Sequence, residues 1–371
     1  MHQTGRKTHL VFDMTFPRRL KTGTTTYANE LVAAMGKREA FHVSCVAEPP
    51  LKHRHGVWKI WNGIKNLVWT QVVLPVRLYF MRADLLHAPS FFAPVFCPCP
   101  IVLTVFDTLY LTQSQHYRDR LFSIYMRSFT FLAVKKAAVV CTISNVSRDE
   151  IASAYRIPRD RVRVTYLGVN PSFRLQTDTE LAALRDKYAL KRPYFLFVGA
   201  WEPRKNLPRL IEAFILFRKD TGADYELILV GPKGSGEAEV NRLLDDPEIA
   251  ASVRYLGFLP EEDKPGIYAA ADALTFPSLG EGFGLPIVEA FASGTPVLTS
   301  NVSCMPEVAG DAALFFNPED IADIARTMKM VMQPALRHEL REKGLSRARM
   351  FTWDNMATET EKAYVEAMRK A

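Results

Sequence analysis

Short apolar strand patterns alternate with helical patterns along this chain in two successive sets, an order that builds doubly wound parallel sheets. The first set holds Leu10–Met14, His42–Ala47, Leu85–His87, Ile101–Val105, Val139–Ile143 and Val162–Tyr166, with a helix expected over Tyr27–Met35. A polar stretch from Asn170 to Arg192, beginning at Pro171, reads as the connection between the sets. The second set starts at Tyr194–Val198 and includes Leu227–Val230, Ala273–Phe276 and Pro296–Thr299, and helical patterns close the chain after Glu319. With 371 residues, 48% of them hydrophobic, there is enough material to bury two domain cores. The expected fold class is α/β, with one Rossmann-like domain over residues 1–172 and a second over 190–350.

Ligands of open α/β sheets bind just beyond the carboxyl ends of the strands, so chemistry is expected in those loops. The most informative of them is Glu281-Gly-Phe-Gly-Leu-Pro-Ile-Val-Glu289, which follows a strand ending at Phe276-Pro277-Ser278. Gly282 and Gly284 permit a tight turn and close approach to a ligand, and Pro286 suits the first turn of a helix that stops at Gly294. Unpaired N–H groups at such a helix start favour an anion. Amide donors for phosphate beside carboxylates for hydroxyl groups suit a sugar nucleotide. Upstream, Phe197-Val-Gly199-Ala-Trp-Glu-Pro-Arg204-Lys205-Asn206-Leu207 sets two cations after a strand and a glycine turn, with Asn206 as N-cap of the helix that follows. Arginine offers a fixed fork to phosphate oxygens and lysine a compact mobile charge. The loop Gly23-Thr24-Thr25 lies between a strand and a helix, where backbone N–H groups meet phosphate or sugar. Taken singly, each feature also has a plain structural reading: a solvated basic loop, a capping carboxylate, a common glycine turn.

Together these stretches resemble the signatures of retaining glycosyltransferases of sequence family four, which have the GT-B fold of two Rossmann-like domains facing a central cleft. Glu281 to Glu289 is similar to the family's glutamate-x7-glutamate signature, and Gly199 to Lys205 to its glycine turn and Arg-Lys pair. Two further matches are Leu256-Gly257-Phe258-Leu259-Pro260 and the run from Ser300 through Pro306-Glu307 to Ala313. The four occur in the family's order over roughly residues 190 to 320. The resemblance implies that Gly199, Arg204 and Lys205 grip the donor diphosphate and that Gly23 and Thr24 lie beside it. It implies that Glu289 accepts hydrogen bonds from ribose and that Glu281 contacts the transferred sugar. The amides of Phe283, Gly284 and Leu285 would lie near sugar and phosphate, and Phe258 against the base. It also implies that the final segment, 351–371, returns as a helix to the first domain. That domain would hold the acceptor, a glycan or lipid-linked sugar. The nucleoside diphosphate sugar is a substrate, no cofactor is implied, and the absence of any Asp-x-Asp gives no support to a metal clamp.

One departure from the family pattern matters. In Thr104-Val-Phe106-Asp107, Phe106 holds a position where many members carry histidine near the hydroxymethyl group of the donor sugar. Three readings stand. The donor lacks a 6-hydroxyl, as in a 6-deoxyhexose or pentose; the protein is weakened or inactive; or the register differs and His87 or His116 supplies the imidazole. Asp107 remains a candidate site carboxylate beside a turn-capping reading. Ser144 and Ser147 match a family pattern and equally fit a helix cap, and His87 either meets acceptor or is a satisfied buried histidine.

Charge is unevenly spread: residues 1–170 carry 23 Lys+Arg against 10 Asp+Glu, and the rest 24 against 30. A basic first half favours an anionic partner. No nucleic-acid motif is present, so nucleic acid is not expected. The segment from Leu51 to Trp69 mixes cations with Trp58, Trp61 and Trp69. Such a helix either lies in the headgroup region of an anionic membrane or packs on its own domain with its lysines in water. No apolar run is long enough to span a bilayer. The start lacks a hydrophobic signal core, and five cysteines suit reduced thiols, so a cytoplasmic setting is expected, at the inner face of the cell membrane if the membrane reading holds. Cys97-Pro-Cys99 lacks the further ligands of a metal site. The alternatives to a glycosyltransferase are a sugar-nucleotide epimerase of the same fold and a catalytically weakened nucleotide-sugar-binding partner protein, which the Phe106 departure keeps open.

Overall fold

The computed structural model describes residues 6–18, 23–49, 58–108 and 120–370, without the side chains of 58–60 and 120–127. His116 and the residues from Leu51 to Val57 therefore lie outside the described residues. Two compact units form, one from Met1–Leu167 with Trp353–Ala371 and one from Gly168–Thr352.

The first unit holds six parallel strands, β1 (Thr8–Asp13), β2 (Phe41–Val46), β3 (Leu85–Ala88), β4 (Ile101–Thr104), β5 (Val139–Thr142) and β6 (Val162–Val164), in the order β2-β1-β3-β4-β5-β6. Every residue of β3, β4 and β5 is buried, which is why these strands read as largely apolar runs, interrupted only by His87, Thr104 and Thr142. The helix Trp353–Arg369 belongs to this unit and buries Ala363, Tyr364 and Ala367. Arg38 holds it through Asp354 at 2.7 Å, and Arg163 pairs with its Glu366. Trp69, one of the three tryptophans of the mixed segment, is buried in a π-helical turn, with the Arg77 guanidinium 5.1 Å from its ring.

The second unit also has six parallel strands, β7 (Tyr194–Val198), β8 (Glu226–Val230), β9 (Val253–Gly257), β10 (Ala273–Phe276), β11 (Val297–Ser300) and β12 (Ala313–Phe316). Their order is β12-β11-β10-β7-β8-β9, so the chain reverses direction between β7 and β10. A reversal of this kind leaves a crevice at the carboxyl ends of the two central strands. The edge strands β9 and β12 add to the four read from the sequence; both keep half-exposed residues, which weakens an apolar signal. The polar stretch 170–192 is no free connection. It lies within the second unit and carries the helix Asp178–Lys187, started by a capping box of Thr177 and Glu180 and anchored by buried Leu184. Among the described residues no helix is long and apolar enough to cross a membrane. All five cysteines are unpaired.

Candidate active site

The loops at the crevice between β7 and β10 carry Gly199, Arg204, Lys205 and Glu281. After β7 the chain passes Gly199 and reaches Arg204 and Lys205 in a short 3-10 turn, Pro203–Lys205. Gly231 explains how that loop comes so close to its neighbour. At φ 128°, a Cβ on Gly231 would stand 2.3 Å from the Gly199 carbonyl oxygen, so only glycine fits. The loop is further tied by Trp201, whose backbone N–H donates to Pro232 O at 3.0 Å and whose carbonyl accepts from Gly236 N at 2.7 Å.

Asn206 occupies the N-cap position of the helix Leu207–Thr221 but its side chain does not cap it. The backbone there is left-handed, at φ 58°, and Nδ2 donates instead to Pro277 O at 3.2 Å and Pro318 O at 2.7 Å. Asn206 thus pins the cation loop to the chain leaving β10. Leu279 N, donating to Arg204 O at 2.8 Å, adds a second link between the same two loops.

Glu281 is the centre of the site. Its Oε1 lies 2.6 Å from Lys205 Nζ and 2.8 Å from Arg204 Nη1, and its side chain is 10% exposed. Burial alone would push its carboxyl up; the Lys205 and Arg204 charges reverse that and hold it below the usual carboxylate range. Arg204 is held in turn by Glu202 at 2.9 Å and keeps a solvent-facing edge, while buried Lys205 lies 4.7 Å from the centre of the Phe276 ring. The backbone of Glu281 is fixed from the loop after β11. Ser303 Oγ donates to Glu281 O at 3.0 Å and Cys304 Sγ to the same oxygen at 3.1 Å. Burial pushes the Cys304 thiol up, which keeps it a neutral donor.

Gly284, at φ 86°, starts the helix Leu285–Ala292, and Phe283 beside it is buried edge-on against Phe351. Glu289 lies inside this helix and its Oε2 accepts from the Tyr268 hydroxyl at 2.6 Å. Burial raises the Glu289 carboxyl, against the pull of that hydrogen bond and of Lys264. Lys264 also stands 5.1 Å from the Phe258 ring, and Phe258, just beyond the end of β9, is 69% exposed. One unit therefore brings Gly199, Arg204, Lys205 and Glu281 into contact and links Phe258 to Glu289 through Lys264. Gly231, Lys264, Tyr268 and Ser303 were not singled out from the sequence as site residues. Their roles depend on partners that only the fold supplies.

Gly23, Thr24 and Asp107 belong to the other unit. Gly23 and Thr24 begin the helix Gly23–Gly36, and a Cβ on Gly23 would meet open space. Phe106 is buried, edge-on to Tyr27 at 5.1 Å, and Asp107 next to it is half-buried. Ser144 caps the helix Asn145–Tyr155 by accepting from Ser147 N. His87 is a satisfied buried histidine. Its Nδ1 is 2.5 Å from Tyr364 Oη, its Nε2 is 2.8 Å from Thr104 Oγ1, and burial pushes it down to about 3. With both ring nitrogens engaged and no exposed surface, it does not supply the imidazole missing at Phe106.

Comparison with known proteins adds what geometry leaves open. The family described as "Glycosyl transferases group 1" matches residues 182–347, and "Glycosyltransferase Family 4" matches 22–173. "O-antigen chain mannosyltransferase B" of Escherichia coli is 34% identical over 280 residues, covering 75% of this chain and 73% of that protein. The chain is a family-four glycosyltransferase. Its fold matches solved structures of far lower identity. Sucrose-phosphate synthase from Thermosynechococcus elongatus superimposes with a TM-score of 0.77 at 18% identity, covering 98% of this chain and 100% of that one. Anabaena Alr3699/HepE, solved in complex with UDP and glucose, gives 0.72 at 17% identity, covering 96% and 99%. The glycosyltransferase thus has the α/β architecture of the GT-B enzymes, and its Arg204–Lys205–Glu281 cluster sits at the topological reversal of the second sheet.

Proposed function

We propose that this glycosyltransferase moves a hexose, with retention of anomeric configuration and without a metal, from a nucleoside diphosphate sugar to a glycan or lipid-linked acceptor. The observation that carries the reading is the Glu281 carboxylate held between Lys205 and Arg204 at 2.6 and 2.8 Å, one turn before a helix start. When the bond from the anomeric carbon to the diphosphate breaks, negative charge develops on the leaving phosphate. Arg204 and Lys205 are fixed cations for that charge, and the amides of Phe283, Gly284 and Leu285 add oriented dipoles. The acceptor hydroxyl attacks from the face the diphosphate leaves, and its proton passes to a phosphate oxygen. Glu281, kept ionised by its two cations, accepts hydrogen bonds from the transferred sugar. Glu289 takes the ribose hydroxyls, and Phe258 offers its exposed face to the base. Gly23 and Thr24 contribute N–H groups to the phosphates, and Asp107 a carboxylate on the sugar side. Contact with an anionic membrane belongs to the same reading, because lipid-linked acceptors are presented there.

Mannose is the favoured sugar, on the strength of the mannosyltransferase relative. The apolar Phe106 supports a second reading, a 6-deoxyhexose or pentose. Release of nucleoside diphosphate from UDP-, GDP- and dTDP-sugars, with a Glu281→Ala control, tests both. Slow hydrolysis of one donor that the variant loses is the expected result. A mannose donor would remove the 6-deoxy reading, and binding without release in the presence of lipid-linked acceptors would overturn the enzymatic one.

A further inference from the structure

The helical segment of the first unit, Trp58–Val68, a π turn at Trp69–Val73 and Leu74–Met81, turns an apolar stripe to solvent. Ile64, Val68, Val72, Val76 and Phe80 follow one another at steps of four and are all exposed, Phe80 at 79%. Steps of four overshoot the 3.6-residue α-helical turn and would walk a stripe around the helix. The wider π turn in the middle takes back part of that rotation and keeps the stripe on one side. At its end a second loop joins in. Phe96 is 80% exposed, and with Pro98 it faces Pro75, Val76, Tyr79 and Phe80 across an open apolar groove of about 390 Å³.

Cations stand beside the rings of this face. Lys65 Nζ is 6.0 Å from the Trp61 ring and Lys136 Nζ is 6.0 Å from the Phe96 ring. No aspartate or glutamate occurs between Pro49 and Ala83, nor between Arg120 and Arg148. A contiguous exposed apolar surface of this kind marks an interaction site. Its charge selects the partner, since a second copy would set cations against cations. Rings flanked by ammonium groups suit the boundary of a bilayer, where the ring enters the acyl region and the cation stays at phosphate depth.

We propose that this face docks the glycosyltransferase peripherally on an anionic lipid bilayer, with the Val76–Phe80–Phe96 groove as its apolar contact. The inference rests on the lipid-linked acceptor reading for its purpose, but on none of the donor-site geometry. The test is co-sedimentation of the full chain with vesicles of phosphatidylglycerol and phosphatidylcholine, and with phosphatidylcholine alone. Binding to the anionic vesicles only is expected. Val76→Asp with Phe80→Asp should weaken it by about tenfold or more. Lys65→Glu and Lys136→Glu should each weaken it by about fivefold or more, because each removes one cation at the surface. Nucleoside diphosphate release and melting temperature should stay unchanged in all variants. Val76→Ser with Phe80→Ser is the milder pair should the aspartates disturb folding. Failure of the wild type to bind, or undiminished binding by the aspartate variant, would overturn the proposal. So would a concentration-dependent dimer in sedimentation velocity that the aspartates abolish, since the face would then be a self-interface. Vesicle binding without any nucleotide release would leave this proposal standing and count against the enzymatic one.

Discussion

Lys205 shows how one residue serves both the fold and the proposed chemistry. Its ammonium is buried against Phe276 and paired with Glu281, so it balances a carboxylate that burial alone would neutralise. Lys205→Ala should weaken donor binding by about tenfold or more, since a hydrogen bond to a charged group contributes about 1.5–3 kcal/mol. It should also move the acid limb of the kcat/KM profile to higher pH. Glu281 has a depressed pKa in the folded protein, so its stabilising contribution is present above the ordinary carboxylate range and is lost as pH falls through the depressed value. Removing the nearest cation raises that value, and a pH profile reads the shift directly. Tyr268 acts one step further out. Its hydroxyl holds Glu289 Oε2, so Tyr268→Phe should raise the donor KM about fivefold while leaving kcat nearly unchanged, from the loss of about 1 kcal/mol of hydrogen bonding. An equal fall in kcat instead would place Tyr268 on the reacting sugar.

Among the elements, the two crevice loops depend on backbone rather than on side-chain chemistry. Gly231 brings the end of β8 against the Gly199 loop at a separation no Cβ permits. Gly231→Ala should destabilise the protein by more than about 1 kcal/mol and weaken nucleoside diphosphate affinity with it, as thermal melting and calorimetry would show. In the first unit, the helix Trp353–Arg369 is keyed to the sheet through Tyr364 and His87. His87 is pushed down to about 3 by burial, against an ordinary value of 6.5. Its contribution to stability is therefore complete above 6.5 and is lost as pH falls toward 3. His87→Gln, which keeps a donor and an acceptor but does not titrate, should flatten the fall in melting temperature over that window. An unchanged slope would show that other groups govern acid unfolding.

Over the whole molecule, what was legible in the sequence is what is encoded locally. The buried strands β3 to β5 are largely apolar runs, and Gly284 with Pro286 announces a helix start from neighbouring residues alone. The edge strands β9 and β12 are not legible in this way, because half-exposed strands carry a diluted apolar pattern. The stretch 170–192 read as a linker because its helix buries little beyond Leu184. Asn206 looked like a cap because capping is judged from the next few residues, whereas its partners are Pro277 and Pro318. Tyr268 and Ser303 reach the two glutamates from 21 and 22 positions away, a pairing no short pattern records. The basic first half is also partly concentrated, with Lys65 beside the exposed Trp61 ring and Lys136 beside the exposed Phe96 ring. The most direct test of the account is the anomeric configuration of the transferred sugar, read by NMR as an α-linked donor turns over. An α-linked product is predicted, from attack on the face the diphosphate leaves. A β-linked product would contradict it and would require a base on the opposite side of the sugar.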